Sequence, residues 1–460
     1  EGAFASFPTR EKKRKIYGET GRRAAPQGRQ EGDTEMKILV VGGGGREHAI
    51  IKKLKEDERA EKIYALPGNG GIAADAVCLE GSATDISAAI AAAKRYDVDF
   101  VVVAPDDPLA LGMVDALEAE GFACFGPQKS AAVIESSKAF SKDLMKKYGI
   151  PTASYETFNA LDKALAYVES CPMPVVVKAD GLALGKGVLI CETREAAQKA
   201  VRSMMEDRVF GDSGTTVVVE EFLTGPEVSV LSFTDGETVI PMASSMDHKR
   251  ALDGDQGLNT GGMGTIAPNP YYTPALAGEC MEKIFLPTIR AMKAEGRPFK
   301  GCLYFGLMLT PQGPKVIEYN CRFGDPETQV VLPLLESSLL EIMLAVSRGS
   351  LADTEVKFSE KSACCVILAS KGYPEKYEKG FPITLPATEA DERIYIAGAT
   401  QSDGKLLTSG GRVLGAAAVA GNLPAAVEKA YALADRIHFD NAYCRRDIGR
   451  RALKALKCEG

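Results

Sequence analysis

Short apolar runs alternate with amphipathic stretches in the first hundred residues after position 36. Runs that are mostly apolar occupy 37–41, 62–66 and 100–104, and they predict strands buried in a sheet. The stretches 47–56 and 88–95 have the composition of helices. Because strands that alternate with helices form parallel sheets with right-handed crossovers, residues 36–137 are expected to form a Rossmann-like domain.

The pattern changes after residue 137. A predicted helix at 138–148 is followed by strands at 175–178, 188–191 and 216–220. A glycine-rich loop at 181–187 separates the first two of these strands. This order predicts a small α+β lid over residues 138–224.

Two further regions complete the expected organisation. Strands at 228–234, 302–310 and 314–319 predict a central region over 225–354. The remainder, 355–460, reads as a smaller C-terminal domain with strands at 363–369 and 393–397 and a helix at 424–436. The expected fold class is therefore α/β.

Residues 1–35 differ from the rest of the chain. They contain a basic cluster at 12–15 but lack the charged region followed by an apolar region that defines a signal peptide. The glutamates at 1, 11, 19 and 31 also argue against an organelle transit peptide. We expect a disordered leader or upstream translation, with the functional start at Met36.

Composition narrows the possible partners and compartment. The net charge is −7 and no block of like charge stands in the body of the chain, which disfavours nucleic acid as a partner. The 11 cysteines are scattered and none forms a C-x-x-C pair, so reduced thiols in a cytoplasmic enzyme are expected. No apolar run approaches the roughly 20 residues of a membrane helix, so no membrane contact is predicted.

A glycine turn, 42–45, joins the first predicted strand to the first helix. Such a turn lets backbone N–H groups approach a phosphate at the start of a helix. A dinucleotide site would also need an acidic residue at the end of the second strand, and the stretch LPGNGG (66–71) has none there. A phosphate site without a dinucleotide is favoured, while a tight turn that needs glycine for geometry alone stays open.

The stretch KADGLALGKGV (178–188) contains two lysines in a hairpin of glycines. Two cations on a loop that can close without side-chain clashes suit a triphosphate. Walker spacing is absent, so a hairpin-type lid is predicted rather than a Walker loop. The strand at 216–220 then ends in a hinge where Glu220 and Glu227 are candidates to hold adenine, although glutamates at a strand end are usually just solvated.

The stretch VIEYNCRFGDPETQ (316–329) is the strongest local signal. In a strand, residues two apart face the same side, so Glu318, Asn320 and Arg322 are expected to project together. Glutamate and asparagine oxygens suit Mg²⁺, and an arginine beside them can grip a phosphoryl group. Ile317, Tyr319 and Cys321 are expected to face the core. A surface ion cluster is the alternative.

A long polar loop, 245–264, is rich in glycine and charge. Long loops inside compact domains are usually functional or disordered. Its charges suit an amine together with a carboxylate or phosphate.

Taken together, these stretches resemble the glycinamide ribonucleotide synthetases of the ATP-grasp superfamily. The resemblance runs from Met36 to about residue 456. Matching segments, in the family's order, are GGGGREHA (42–49), PGNGG (67–71), KADGLALGKGV (178–188), DHKRALDGDQGLNTGGMG (247–264), RFGDPETQ (322–329) and TSGGRVLG (408–415). RFGDPETQ is the most specific of them.

The resemblance implies an ATP-grasp fold and a role for each matching residue. ATP contacts are implied for Lys138, Lys178, Lys186, Glu220, Glu221, Leu223 and Glu227. Substrate contacts are implied for Gly43, Gly44, Arg46, Glu47, Gly68, Asn69, Gly70, Asp247, Lys249, Arg250, Gly262, Met263, Gly324 and Asp325. Glu318 and Asn320 are implied as ligands of Mg²⁺ or Mn²⁺, and Arg322 and Lys186 as catalytic residues.

The implied reaction is the ATP-dependent joining of glycine to 5-phosphoribosylamine through glycyl phosphate, in purine biosynthesis. A cytoplasmic monomer with this single activity is expected. Another ATP-grasp enzyme of nucleotide or biotin metabolism, a dehydrogenase and a non-catalytic nucleotide-binding module are the alternatives. The 247–264 loop and RFGDPETQ favour the first reading over another ATP-grasp enzyme. The missing acidic residue after the second strand disfavours a dehydrogenase, and the intact pair of Glu318 and Asn320 disfavours a non-catalytic module.

Two positions depart from the family pattern. The chain reads APDDP at 104–108 where the family usually has Gly-Pro-Glu, so contacts of the shorter Asp106 are in question. At 304–306 it reads YFG where many members of the superfamily carry a carboxylate. Fewer protein ligands for a second metal ion are therefore predicted.

Overall fold

The computed structural model describes residues 35–182 and 187–458. Apart from Glu35, the predicted leader lies outside the described residues, as does Lys186.

The N-terminal region is a five-stranded parallel sheet with the order β3-β2-β1-β4-β5. Its elements in chain order are β1 (Met36–Gly42), α1 (Gly45–Leu54), β2 (Ala60–Pro67), β3 (Val77–Cys78), α2 (Ile86–Arg95), β4 (Phe100–Val103), α3 (Asp106–Leu111), α4 (Met113–Ala119), β5 (Ala123–Phe125) and α5 (Lys129–Ser136). The predicted parallel sheet is confirmed. Strand order reverses between β1 and β4, and ligands of such sheets bind at the carboxyl ends of strands at this point.

The lid region is a four-stranded antiparallel sheet with the order β6-β9-β7-β8. Its elements are α6 (Lys138–Tyr148), β6 (Tyr155–Phe158), α7 (Leu161–Ser170), β7 (Val175–Ala179), β8 (Val188–Cys191), α8 (Arg194–Met205) and β9 (Val217–Glu221). The bounds of α6 agree with the prediction, because Ser137 caps its first turn and Gly149 ends it in a left-handed conformation. The two helices α7 and α8 pack on this sheet and give the lid a hydrophobic core of its own.

The central region contains an antiparallel sheet with the order β11-β10-β16-β17. Its elements are β10 (Glu227–Asp235), β11 (Val239–Pro241), β12 (Met246–Asp247), β13 (Arg250–Leu252), β14 (Gln256–Asn259), β15 (Gly264–Ala267), α9 (Pro274–Cys280), α10 (Leu286–Ala294), β16 (Lys300–Thr310), β17 (Gly313–Asn320), α11 (Thr328–Val331) and α12 (Leu339–Arg348). A π-helical segment, Met281–Phe285, joins α9 to α10.

A β-bulge in β17 corrects one prediction. Gly306 pairs with Glu318 and Leu307 pairs with Val316, so Ile317 is the extra residue. Val316 is fully buried while Ile317 is only half-buried, so the prediction that Ile317 faces the core is wrong. The bulge is what lets Val316 face the core and Glu318 face the opposite side.

The C-terminal region adds an antiparallel sheet to the fold. Its elements are β18 (Ser362–Ser370), β19 (Glu392–Ile396), β20 (Ala399–Ser402), β21 (Lys405–Thr408), β22 (Arg412–Ala420), α13 (Leu423–Ala434), β23 (Ala442–Tyr443) and α14 (Arg450–Cys458). The main sheet has the order β12-β15-β18-β22-β19, with β23 paired to β18. Strands from both sides of position 354 share this sheet, and the domain limits 36–137, 138–224, 225–354 and 355–460 stay predictions.

The ten cysteines whose side chains are described are all free, and the adjacent Cys364 and Cys365 are buried in β18. Over residues 35–182 and 187–458, no helix combines the length and the apolar character that crossing a membrane requires.

Candidate active site

Buried charges meet where the lid approaches β17. Glu220 is 4% exposed, and its two carboxylate oxygens contact the ammonium groups of Lys142 and Lys178. Lys178 Nζ also donates to the carbonyl oxygen of Ile317 at 3.1 Å. Burial lowers the pKa of Lys142 to about 8. Burial alone would raise the pKa of Glu220, but Lys178 and Lys142 outweigh it and lower that pKa.

Lys138 and Lys142 lie one turn apart on α6 and face the same side. Lys138 Nζ donates to the carbonyl oxygen of Gly181 at 2.7 Å, at the start of the glycine-rich loop. Burial lowers the pKa of Lys138. Together with Lys178, three ammonium groups therefore line the inner side of the lid, an arrangement suited to a polyphosphate.

The hinge after β9 holds the other residues predicted to contact ATP. Glu221 is exposed and accepts a hydrogen bond from Ser154 Oγ at 3.2 Å. Leu223 is half-buried, and Glu227 begins β10 with its side chain 51% exposed. Glu221 ends β9 and Glu227 begins β10, so these residues belong to the segment that joins the lid to the central region.

Glu318 and Asn320 stand two residues apart at the end of β17. Glu318 Oε1 lies 3.3 Å from Lys249 Nζ, which also lies 3.8 Å from Glu227 Oε2. Lys249 is the main cause that lowers the pKa of Glu318 to about 2, against the effect of burial. Glu318 is therefore ionised at neutral pH and able to act as a metal ligand.

Whether Glu318 and Asn320 suit a metal ion depends on how many protein ligands that ion requires. In the part of the chain that the structure describes, no group of three or more His, Cys, Asp or Glu side chains is arranged to hold a metal ion. Mg²⁺ takes one or two carboxylates or other hard oxygens from the protein and completes its shell with phosphate and water. Glu318 and Asn320 fit that pattern.

Position 306 leaves little room for a side chain beside Glu318. Gly306 is the partner of Glu318 across the β16–β17 ladder. A Cβ added at Gly306 would stand 2.9 Å from Glu318 Cγ, closer than side chains pack. A carboxylate at this position would displace Glu318.

Arg322 lies two residues beyond the end of β17. Its Nη2 donates to Glu135 Oε1 at 2.9 Å and to Asn320 Oδ1 at 3.3 Å. The same atom lies 3.8 Å from Asp106 Oδ2, so the shorter acid at this position still faces the arginine. Burial would raise the pKa of Asp106, but Arg322 and Arg46 lower it. The predicted face of Glu318, Asn320 and Arg322 is thus brought together.

The glycine turn after β1 is shaped by Glu47, which is 1% exposed. Glu47 Oε2 accepts from Gly44 N at 2.6 Å, and Oε1 accepts from Arg46 Nε at 2.6 Å. Helix α1 therefore begins at Gly45 rather than at the predicted 47. Arg46 Nη1 donates to the carbonyl oxygen of Phe323 at 3.1 Å, which ties this turn to the chain beyond β17.

Asn69 organises the loop after β2. Its Nδ2 donates to the carbonyl oxygens of Gly43 and Ile396, both at 2.8 Å, and its Oδ1 accepts from the backbone N–H groups of Gly71 and Ile72. These four bonds use the full capacity of the amide. The Asn69 side chain therefore holds loops in place instead of offering a free group to a ligand.

The two glycine loops touch each other. A Cβ added at Gly43 would overlap the carbonyl oxygen of Gly68. Gly70 N donates to the carbonyl oxygen of Ala399 at 2.9 Å, so the C-terminal region closes over this loop. The close approach accounts for glycine at position 43.

Asp325 joins the C-terminal region to the site through Arg412. Arg412 Nη2 donates to Asp325 Oδ2 at 3.0 Å, and Nη1 donates to the carbonyl oxygens of Asp325 and Gly261 at 2.9 and 2.6 Å. Burial would raise the pKa of Asp325, but Arg412 and Arg46 lower it. One arginine thus connects the 322–329 segment with the end of the 247–264 loop.

The residues of the 247–264 loop lie in different environments. Asp247 and Lys249 face the cleft, and a Cβ added at Gly262 would stand 2.6 Å from Asp247 Oδ1. Arg250 instead donates to the carbonyl oxygen of Gly257 within the β13–β14 hairpin. Met263 is 1% exposed and packs in the C-terminal core, so its side chain does not line the cleft.

The end of the loop meets the turn after Arg322. A Cβ added at Gly324 would stand 2.5 Å from Glu327 Oε2, and Glu327 is itself 3% exposed. Burial, with the charge of Glu327, raises the pKa of Asp247 well above its usual value. Two carboxylates and two glycines therefore border this corner of the cleft.

Sequence reasoning missed four charged residues of the site: Glu135, Lys142, Glu327 and Arg412. Two of them left a signal in the sequence. Glu135 follows the apolar face of a helix, and Lys142 lies four residues after Lys138 on the same face. Arg412 and Glu327 lie inside matching segments, but only the fold shows that their side chains reach the cleft.

The arrangement of a lid with buried lysines, a hinge and a Glu–Asn pair facing them across a cleft defines an ATP-grasp ligase. Solved structures at low identity share this fold: the biotin carboxylase of Campylobacter jejuni, in complex with β-γ-ATP, is 16% identical with a TM-score of 0.70, covering 89% of this chain and 93% of that one. Family comparison then identifies the chain more closely. The N domain of phosphoribosylglycinamide synthetase matches residues 36–135, its ATP-grasp (A) domain 136–328 and its C domain 363–451. This chain belongs to the phosphoribosylglycinamide synthetase family.

Individual relatives agree with this assignment. A phosphoribosylamine–glycine ligase of Caldanaerobacter subterraneus is 48% identical over 413 residues, covering 90% of this chain and 99% of the relative. The enzyme of that name from Agrobacterium fabrum is 46% identical, covering 92% and 100%. The crystal structure of the Thermotoga maritima phosphoribosylamine–glycine ligase is 34% identical with a TM-score of 0.80, covering 90% and 100%. The chain is therefore an ATP-using ligase.

Proposed function

We propose that this chain joins the carboxylate of glycine to the amino group of 5-phosphoribosylamine, giving glycinamide ribonucleotide, ADP and phosphate, a step of purine biosynthesis. One observation carries the proposal. The segment from Ile317 to Asp325 is contacted by the lid through Lys178, by the N-terminal glycine turn through Arg46 and by the C-terminal region through Arg412. Three binding regions therefore meet along one short stretch of chain.

The reaction divides into two displacements. An oxygen of glycine's carboxylate attacks the γ-phosphorus, the bond to ADP breaks, and glycyl phosphate forms. The amine nitrogen then attacks the acyl carbon, the C–O bond to phosphate breaks, and the nitrogen gives up a proton as phosphate leaves. The protein's task is positioning and charge neutralisation in a site closed to water.

ATP is assigned to the cleft under the lid. Lys138, Lys178 and Lys186 contact its phosphates, and the hinge at 221–223 holds adenine with Glu227 near the ribose. Because the Glu220 carboxylate is occupied by two lysines, its part in adenine binding is limited to its backbone and to holding Lys178. Arg322 stabilises the transferring phosphoryl group.

Glu318 and Asn320 hold Mg²⁺ or Mn²⁺ in this proposal. When bound, the ion neutralises the phosphate charge that develops during transfer. The ammonium of Lys249 contacts Glu318 in the structure described here, so a cation of the protein already balances this carboxylate. Loss of the Glu318 carboxylate is therefore expected to abolish metal-dependent phosphoryl transfer while ATP still binds.

The remaining subsites follow from the loops. The phosphate of phosphoribosylamine lies against Gly43, Gly44 and Arg46 and against the loop that contains Gly68 and Gly70. Glycine lies between Asp247, Lys249, Gly324 and Asp325, where carboxylates and cations stand near one another as a zwitterion requires. Glu47, Asn69, Arg250 and Met263 shape or support these loops. A monomer acting on small molecules stays a prediction.

The test is phosphate release from ATP with Mg²⁺, supplied with glycine and phosphoribosylamine singly and together. Release that requires both substrates and yields glycinamide ribonucleotide by mass is expected. Glu318→Ala should abolish it, while Glu58→Ala, an exposed glutamate on the N-terminal region, should leave it unchanged. Release without glycine, or equally with another carboxylate and amine, would overturn the substrate assignment.

A further inference from the structure

Glu135 lies in the last turn of helix α5, with its side chain turned into the protein, and is 8% exposed. Its two carboxylate oxygens serve two different groups. Oε1 accepts from Arg322 Nη2 at 2.9 Å, and Oε2 accepts from the backbone N–H of Cys321 at 2.7 Å. One carboxylate thus holds both the guanidinium and the chain directly before it.

Arg322 has few other strong contacts. Its Nη1 meets the carbonyl oxygen of Phe323 at 3.5 Å, and Asp106 Oδ2 lies 3.8 Å from Nη2, beyond hydrogen-bond distance. In the part of the chain that the structure describes, the buried Nε of Arg322 has no hydrogen-bond partner. A buried donor without an acceptor is costly, and an anion on this edge would satisfy it.

The nitrogen atoms of the guanidinium have different partners. Nη2 is anchored by Glu135 and Asn320, while the adjacent Nε–H has no acceptor among the described residues. An arginine side chain has many rotamers, so a charged acceptor that also grips the backbone removes most of that freedom in advance. Preorganised cations of this kind stabilise a transition state without reorganising during the reaction.

We propose that Glu135 is a positioning residue for phosphoryl transfer, which fixes the guanidinium of Arg322 and the backbone at Cys321 so that Arg322 meets the transferring group in one orientation. The inference rests on the proposed function, and in particular on the role given to Arg322. Glu135 does not touch substrate. It acts through the arginine.

The first measurement is a comparison of Glu135→Gln with Glu118→Gln, an exposed glutamate outside the site that accepts from Gln128. Glutamine keeps the size of the side chain but can accept only one of the two hydrogen bonds. We expect Glu135→Gln to lower kcat by roughly 10- to 100-fold, with the KM for ATP and glycine within about twofold of the parent value. Glu118→Gln should keep the parental kcat and KM. Unchanged kcat in Glu135→Gln would overturn the proposal.

A double-variant cycle separates positioning from a merely structural role. Arg322→Gln removes the group through which Glu135 acts, so adding Glu135→Gln should lower kcat no further. Independent losses that multiply would overturn the proposal, as would a fall in thermal stability that alone explains the lost activity. If Glu135→Gln does not fold, Glu135→Asp serves in its place and should lose kcat for the same reason, because the shorter side chain cannot span both partners.

Failure of the proposed function is distinguishable from failure of this inference. The first shows in the parent protein, as phosphate release that does not require glycine and phosphoribosylamine. The second shows only in the variant series, with the parent protein behaving as proposed.

Discussion

Lys142 contacts Glu220 through an ion pair in which both side chains are 3% exposed. Lys178 takes the other carboxylate oxygen, and Lys142 also donates to Thr152 Oγ1 at 2.8 Å. In the proposed function Lys178 turns to a phosphate of ATP, and Lys142 then remains as the cation that balances Glu220. The pair therefore links the stability of the lid to the freedom of a proposed ATP ligand.

Replacing Lys142 with methionine should destabilise the protein and weaken ATP binding. Glu220 would keep a single buried partner, and removing one member of a buried ion pair costs about 3–5 kcal/mol of unfolding free energy. Lys178 would then be held more firmly by Glu220, so the KM for ATP should rise. Chemical denaturation and steady-state kinetics measure the two effects.

Lys163→Met is the control for this substitution, because Lys163 is exposed on the neighbouring helix α7. It should change the unfolding free energy by less than about 0.5 kcal/mol. Equal unfolding free energies for Lys142→Met and Lys163→Met would mean that the ion pair of Lys142 with Glu220 contributes nothing to stability.

Arg412→Lys should raise the KM for glycine by roughly 10- to 100-fold, with a smaller change in kcat. Lysine keeps the charge but loses the planar fork that reaches Asp325 and Gly261 together. Asp325 would no longer be fixed against the end of the 247–264 loop. Arg348→Lys, an exposed change at the end of α12, should leave the kinetics unaltered. A KM for glycine that stays at the parent value would show that Arg412 supports the fold alone.

The sequence predicted the strands of the parallel sheet and the helix α6 well because hydrophobic periodicity is a local property. It also placed Glu318, Asn320 and Arg322 together, although β17 ends at Asn320 and Arg322 reaches the group through its hydrogen bond to Asn320 rather than through strand alternation. It misplaced Ile317, because the β-bulge depends on pairing with β16, which a single strand does not reveal. The contacts of Asn69 and Arg412 could not be predicted from the sequence. Asn69 bonds to Ile396 and Arg412 bonds to Asp325, and only the tertiary structure brings residues so far apart in the chain together.

Gly43→Ala should impair the site by pushing two loops apart. The new Cβ would overlap the carbonyl oxygen of Gly68, and overpacking of this kind costs about 1–3 kcal/mol. The KM for phosphoribosylamine should therefore rise while the KM for ATP changes little. Gly278→Ala is the matched control, because a Cβ there meets nothing within 4 Å. As a helical glycine replaced by alanine, it should stabilise the protein by about 0.5–1 kcal/mol. An unchanged KM for phosphoribosylamine in Gly43→Ala would remove the glycine turn from the proposed phosphate site.

Unfolding free energy should fall as the pH drops from 7 to 5, and His248 should account for part of this fall. His248 is 1% exposed; its Nδ1 lies 3.0 Å from the carbonyl oxygen of Gly264 and its Nε2 lies 3.1 Å from Gly449 N. These partners suit a neutral ring with the proton on Nδ1, because a second proton on Nε2 would face the Gly449 N–H. Burial accordingly lowers the pKa of His248 to about 4.

Because the pKa of His248 is lower in the folded protein than in the unfolded chain, the unfolding free energy falls as the pH drops. The unfolded chain takes up a proton near pH 6.5 while the folded protein does not, so the stability due to a neutral His248 is complete above pH 6.5 and is lost as the pH falls towards 4. Between pH 7 and pH 5 the loss is about 2 kcal/mol. Urea denaturation at several pH values should therefore give a shallower pH dependence for His248→Gln than for the parent protein. His438→Gln, which replaces an exposed histidine, should keep the parental slope. If His248→Gln kept that slope as well, the ring at 248 would be protonated in the folded protein, and the hydrogen bond from Gly449 would have to be broken near pH 6.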